Sequence, residues 1–250
     1  HWLWRFVAPD SAGKDFYDGL YFGGCGTDLG VCKHRLPTLC RQPLQKEMSV
    51  TNPYHCVAPE LPDADLRLYP HFLEPEWARD LYEVFLQKVP WQHDPIKVFG
   101  KTYMQPRLTS LHGTTHQSYG YSNIRMHPKP MMPEMLDLLK RIAQVDTADF
   151  NIVLLNLYRD GNDSNGWHAD NEKELGQNPV IASISLGASR IFKLKHRHDK
   201  NLTHQMLLEN GSLLMMSGQT QHHWLHHIPK TKKQIGPRIN LTFRKVLDSA

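Results

Sequence analysis

At 250 residues the chain has room for one catalytic domain of ordinary size with an appendage, but not for two large independent domains. Its 29 Lys and Arg against 25 Asp and Glu leave a formal charge of +4, which permits a polyanionic partner without demanding one. No run approaches the roughly eighteen apolar residues of a membrane span, and four cysteines crowded into the first quarter argue against a secreted disulfide framework.

Residues 1–60 are rich in Gly, Pro, Cys and aromatics without a helical or strand period, and read as an irregular N-terminal extension. Cys25, Cys32, Cys40 and Cys56 lack the C-x-x-C spacing of structural zinc, so even beside His34 and His55 they read as free thiols. From Asp65 the phrase LRLY predicts a strand. A helix is then predicted over EPEWARDLYEVFLQKV, with Pro75 in its first turn and Trp77, Leu81, Val84 and Phe85 on one face. A second helix is expected from Pro133, its stripe formed by Leu136, Leu139 and Ile142. Both are expected to buttress a sheet.

Beyond residue 150 come short β-rich runs: NIVLLNLY, VIASISLG, RIFKLK, HQMLL, SLLMM, HHWLHHI and RINLTFR, parted by Gly, Asn, Asp and Pro turns. Without an internal repeat, this favours a jelly-roll or cupin-like double sheet over a propeller. The expected fold is mainly β with flanking helices (α+β): a double-stranded β-helix with an N-terminal helical and lid region. The domain is set at 61–248, with the lid at about 95–127 and the jelly-roll core at about 150–246.

Sixteen histidines make any single one uninformative, so spacing must decide. His168 and Asp170, in GWHADNE, stand two apart, which in an extended segment turns both side chains to one side. HHWLHHI supplies further candidates, with Trp224 and His226 sharing a face, and spacing alone leaves the choice among its histidines open. Two His and a carboxylate make the facial triad of non-haem iron(II) oxygenases, whereas an H-x-D taken alone is as often a surface turn.

In RINLTFR, Arg238, Asn240, Thr242 and Arg244 fall on one strand face and Ile239, Leu241 and Phe243 on the other. The polar face is either a sheet edge in water or a pair of guanidinium forks turned inward, which would suit a dicarboxylate. Asn156 and Tyr158 alternate with Leu155 and Leu157 in the same way. Lys195, Arg197 and Lys200, and again Lys230, Lys232 and Lys233, form short basic runs suited to phosphates or simply to water.

Taken in order, N-x-Y, H-x-D, a distal His and R-x-N-x-x-x-R resemble the AlkB family of iron(II) and 2-oxoglutarate dependent dealkylases, from about Asp65 to Val246. The resemblance implies that His168, Asp170 and His226 bind iron, His226 being picked by its HWLHHIP context. It implies that Asn156, Tyr158, Arg238, Asn240, Thr242 and Arg244 line the 2-oxoglutarate site, with Arg238 on the far carboxylate. It further implies an enzyme that uses Fe(II), 2-oxoglutarate and O2 to demethylate 1-methyladenine or 3-methylcytosine type bases. The partner would be alkylated DNA, single or double stranded, or RNA, and the products formaldehyde, succinate and CO2.

The stretch VFGKTYMQPRLTSLHG followed by SYGYS resembles the family's nucleotide-recognition lid. Val98, Phe99 and Gly100 match the wedge turn of the duplex-acting homologue, with a buried hairpin residue as the competing account of Phe99. Tyr119 and Tyr121 match positions that frame the base, and Arg107, Asn171 and Glu172 join them as implied substrate contacts. PRLTSLHG and NLYRDGNDS are more similar to the homologue that prefers single strands and acts on RNA, and His112 stands where both relatives have Tyr. An intracellular monomer, nuclear, cytoplasmic or organellar, with no membrane partner, completes the expectation. Rival readings are a protein hydroxylase or RNA demethylase of the same chemistry, or a catalytically silent binding module. Because the loss is a metal ligand and not core volume, Asp170→Ala is expected to abolish turnover while leaving the fold largely intact.

Overall fold

The computed structural model describes residues 54–98, 101–115, 119–121 and 124–247, all within one compact unit, Ser49–Ala250. Phe99, Gly100, Cys25, Cys32 and Cys40 lie outside the described residues, as do the side chains of Val98, Tyr119 and Tyr121.

In chain order the elements are β1 (Asp65–Tyr69), α1 (Pro75–Lys88), β2 (Pro95–Val98), β3 (Lys101–Met104), β4 (Leu108–Gly113), β5 (Tyr119–Tyr121), β6 (Ile124–Met126), β7 (Lys129–Pro130) and α2 (Pro133–Ile142). Then follow β8 (Ile152–Tyr158), β9 (Asn165–His168), β10 (Ile181–Gly187), β11 (Arg190–His196), β12 (Thr203–Leu208), β13 (Leu213–Ser217), α3 (Thr220–His223), β14 (Trp224–Ile228) and β15 (Arg238–Arg244). A seven-stranded sheet has the order β1-β13-β10-β15-β8-β4-β7, and a four-stranded sheet the order β12-β11-β14-β9. Two ribbons, β2-β3 and β5-β6, stand apart from both.

Period-two alternation sorts each central strand between two apolar clusters. On β15, Ile239, Leu241 and Phe243 join Phe72, Leu81, Phe85, Met135 and Leu138, so this cluster sits between the larger sheet and both helices. On β13, Leu213 and Met215 enter that same cluster, while Leu214 and Met216 join Phe192, Leu194, Trp224 and Ile228 between the two sheets. Burial on both faces explains the unbroken apolar texture of these runs. The expected jelly-roll is therefore realised as two sheets packed face to face, antiparallel but for the β4–β7 pair, with helices backing the larger one.

Both helices begin on a proline, at Pro75 and Pro133, whose missing N–H costs nothing in a first turn. The α2 stripe differs from expectation by one position: Met135, Leu138 and Ile142 are buried, Leu139 only partly so, and Leu136 is 40% exposed. Counting only leucine and isoleucine hid the equivalent period that begins at Met135. On α1 the fully buried residues are Ala78, Leu81 and Phe85, with Trp77 and Val84 at the margin. The run HHWLHHI also splits, because His222 and His223 belong to α3 and strand alternation starts only at Trp224.

Candidate active site

Antiparallel pairing of β14 with β9 sets His226 opposite His168, their ring centroids 4.3 Å apart, with a bulge between His226 and Ile228. Asp170 follows just past β9, and its backbone N–H donates to the Gln221 side-chain carbonyl at 2.9 Å, so α3 anchors the loop. The ligand atoms of His168, Asp170 and His226 all lie within 4.8 Å of one another. His168 Nδ1 donates to the Gly166 carbonyl at 2.8 Å, which leaves the Nε2 lone pair toward Asp170 Oδ1 at 3.9 Å; the Asn165 amide nitrogen lies 3.2 Å from the same Nε2. Phe192 stacks on His226 at 5.1 Å.

The electrostatics favour a dication here. Burial opposes ionisation of Asp170, yet Arg244, His226 and His168 together hold its carboxyl down to about 2. Arg244 Nη2 reaches Asp170 Oδ1 at 2.9 Å with both side chains 2% exposed. Burial, aided by His168, pushes His226 down to about 3, and burial lowers His168 as well. At neutral pH the trio is thus two neutral imidazoles and one carboxylate, the protonation state that metal ligation requires.

Beside the trio, β15 lies between β10 and β8, pairing Arg238 with Tyr158 and Asn240 with Asn156 on one side and with Ser185 on the other. Asn240 Nδ2 donates to Ser183 Oγ at 2.8 Å and Thr242 Oγ1 to Asn240 Oδ1 at 3.0 Å. Arg238 Nη2 donates to Ser185 Oγ at 2.8 Å, while its Nε and Nη1 are buried with no hydrogen-bond acceptor among the described residues. Burial pushes Arg238 down to about 10, so it stays cationic at neutral pH. Two buried guanidinium donors without an acceptor suit a carboxylate.

A single cavity is walled by His168, Asp170 and His226 together with Asn156, Tyr158, Arg238, Asn240, Thr242 and Arg244. The polar face of RINLTFR therefore points inward and not into water. Ser183 also lines it, and Ser185 supports Arg238 from beneath. Both serines alternate with Ala182, Ile184 and Leu186, so the period-two rule applied to VIASISLG would have found them. Gln221 and Asn165 carried no such signal, because their roles arise from a helical turn and a cross-strand approach.

The expected substrate contacts are less drawn together. Arg107 is buried, its Nε donating to Asn156 Oδ1 at 2.7 Å, so it braces a cavity wall. Asn171 is exposed and Glu172 half-buried just past Asp170, while Val98, Tyr119 and Tyr121 are described only as parts of β2 and β5. His112 lies outside the cavity walls, its Nδ1 bonded to the Pro130 carbonyl at 2.7 Å and its Nε2 3.1 Å from Ser110 Oγ.

A second cluster, Asp63, His196 and His223, also brings three ligand atoms within 4.8 Å of one another. There His196 Nδ1 accepts the backbone N–H groups of His198 and Asp199 at 3.3 and 3.1 Å, so its own proton sits on Nε2, facing Asp63 Oδ2 at 3.5 Å. An imidazole in that tautomer has no Nε2 lone pair to offer a metal.

Residues 65–244 match the 2OG-Fe(II) oxygenase superfamily. The chain is 40% identical over 159 residues to the DNA oxidative demethylase ALKBH2 of Bos taurus, covering 61% of this chain and 57% of that protein. It is 39% identical over 188 residues to the alpha-ketoglutarate-dependent dioxygenase alkB homolog 3 of Homo sapiens, covering 72% of this chain and 65% of that one. To ALKBH2 of Arabidopsis thaliana it is 32% identical over 212 residues, covering 74% and 67%. The chain thus spans well under the full length of these relatives. In fold it is similar to the solved structure of OsALKBH1, with a TM-score of 0.52 at 18% identity over 72% of this chain and 97% of that one. From a match over 65–244 and shared identity with proteins of the AlkB type, it follows that the chain belongs to the AlkB family within the 2OG-Fe(II) oxygenase superfamily.

Proposed function

We propose that the chain demethylates N-alkylated bases of the 1-methyladenine and 3-methylcytosine type in DNA, and that RNA is the alternative substrate. The superfamily takes Fe(II), 2-oxoglutarate and O2, and the cavity fits the first two. The observation that carries the reading is the sharing of one cavity by His168, Asp170 and His226 and by the two Arg238 donors that lack an acceptor.

His168, Asp170 and His226 would hold the iron, and Arg238 the far carboxylate of 2-oxoglutarate, with Asn156, Tyr158, Asn240, Thr242 and Arg244 walling the slot. Bound together, these groups and O2 supply the oxidising power to insert one oxygen into a C–H bond of the N-methyl carbon, the other oxygen leaving in succinate as CO2 is lost. The resulting N-hydroxymethyl group leaves as formaldehyde: the C–N bond breaks with its electron pair returning to the ring nitrogen, and the hydroxyl proton passes to water. Arg244 keeps Asp170 ionised, Phe192 and Ile228 keep water from one side of the slot, and His168 Nδ1–H on the Gly166 carbonyl holds the ring in its ligating tautomer. A methyl on the pairing edge is out of reach in a stacked duplex, so the base must be turned out. We assign its capture to Val98, Phe99, Gly100, Arg107, Tyr119, Tyr121, Asn171 and Glu172 on the strength of the family likeness.

The test is incubation with Fe(II), 2-oxoglutarate and methylated oligonucleotides, single and double stranded, DNA and RNA, with product masses and succinate read together. Loss of the methyl with matching succinate is expected, and Asp170→Ala should remove both. Succinate without demethylation of any oligonucleotide would leave the oxygenase chemistry but overturn the substrate class, in favour of a protein side chain. Absence of succinate under all conditions would point to a silent binding module.

A further inference from the structure

Two guanidinium groups stand against the ring of Tyr158. Arg238 Cζ lies 5.2 Å and Arg190 Cζ 5.5 Å from its centroid. Arg238 is a wall of the cavity, whereas Arg190, at the start of β11, is 3% exposed and lies outside it.

Arg190 gives its hydrogen bonds to backbone carbonyls: Nη1 to Asp160 at 3.2 Å, and Nη2 to Asp163 at 2.9 Å and Pro229 at 2.6 Å. These oxygens mark where the chain leaves β8 after Tyr158, where it enters β9 toward His168, and where it leaves β14 after His226. One planar fork therefore ties together the ends of the strands that bear Asn156 and Tyr158, His168, and His226. A planar, five-donor group is suited to that task in a way an ammonium is not.

Asp163 and Asp160 favour the charge of Arg190 only through space and form no ion pair with it. The Asp163 carboxylate is occupied by Arg159, at 2.8 Å from Nε and 2.9 Å from Nη2. Among the described residues neither Arg190 nor Arg238 belongs to an ion pair. Two cations are thus buried against one phenol with only carbonyl, hydroxyl and ring partners, an arrangement that favours the arrival of an anion. Burial chiefly, and Arg190 through space, lower the proton affinity of Arg238.

We infer that Arg190, though it does not touch the cavity, is a positioning residue for the far carboxylate of 2-oxoglutarate: it fixes Tyr158 and, through that ring, the two Arg238 donors aimed at the slot. The inference rests on the cosubstrate reading above. It makes Arg190 a determinant of selectivity for a 2-oxo diacid over a 2-oxo monoacid, because only the diacid reaches Arg238.

The experiment is calorimetric titration of the Mn(II)-loaded chain with 2-oxoglutarate and, separately, with 2-oxobutyrate, which lacks the second carboxylate. Arg190→Gln should weaken 2-oxoglutarate about tenfold, the scale of a disturbed hydrogen bond to a charged group, and leave 2-oxobutyrate unchanged. Arg190→Lys keeps charge but not the fork, and should narrow the diacid preference by about threefold. In turnover, KM for 2-oxoglutarate should rise while kcat at saturation holds. Equal weakening of both ligands, or an unchanged ratio, overturns the positioning role. Should the Gln variant melt before it can be titrated, the ratio in the Lys variant decides alone. A parent chain that binds the two acids equally overturns the cosubstrate reading itself, and this inference with it.

Discussion

Asp170 answers to two partners at once. It stands beside His168 and His226 as a candidate metal ligand, and it is also the buried counter-ion of Arg244. Replacing it by Ala should therefore lower stability as well as remove a candidate ligand, while the fold stays largely intact. One charge of a desolvated pair is lost and the guanidinium stays behind, a change that costs on the order of 3 kcal/mol. Urea unfolding of the metal-free Asp170→Ala variant should show that loss, and adding Arg244→Met should recover much of it. Recovery of nothing would mean the pair contributes little. A milder prediction concerns His112, whose pKa burial holds below the ordinary 6.5. The native state prefers the neutral ring, so stability from this residue is complete above about pH 6.5 and drains away as pH falls below it, because the unfolded chain takes the proton first. The unfolding free energy of His112→Gln should accordingly fall less between neutral and mildly acidic pH than that of the parent.

Elements decide which face of each periodic run meets the core. The displaced stripe of α2 makes this testable: Leu138→Ala should cost about 2–4 kcal/mol by leaving a cavity, whereas Leu136→Ala should stay within about 0.5 kcal/mol. Thermal melts of the two variants distinguish the stripes directly. A strand face is more legible in a sequence than a helix face. A period of two has only two phases, so Arg238, Asn240, Thr242 and Arg244 could not be separated from one another by any choice of register. The helical period is broader, and a methionine at its edge was enough to move the apparent phase. By the family likeness Phe99 would act as a wedge. Phe99→Ala should then slow demethylation of duplex oligonucleotides more than of single strands, and an equal effect on both would remove that role.

At the scale of the whole molecule, the two sheets divide the labour. The larger one supplies the polar floor from β8, β10 and β15, and the smaller one supplies the imidazoles from β9 and β14. Neither sheet alone makes the cavity. What the sequence by itself determined were the local alternations: which residues of each strand travel together, that His168 and Asp170 share a side, and that a polar row alternates with an apolar one. Those follow from chain geometry, which acts between residues two apart. Whether the polar row faced water or an interior slot, which of the clustered histidines met His168, and that Gln221, Ser185 and Arg190 would brace the result were settled only by the packing of one sheet on the other. Those contacts join residues tens of positions apart, where no local period operates and the burial of apolar faces chooses the partner.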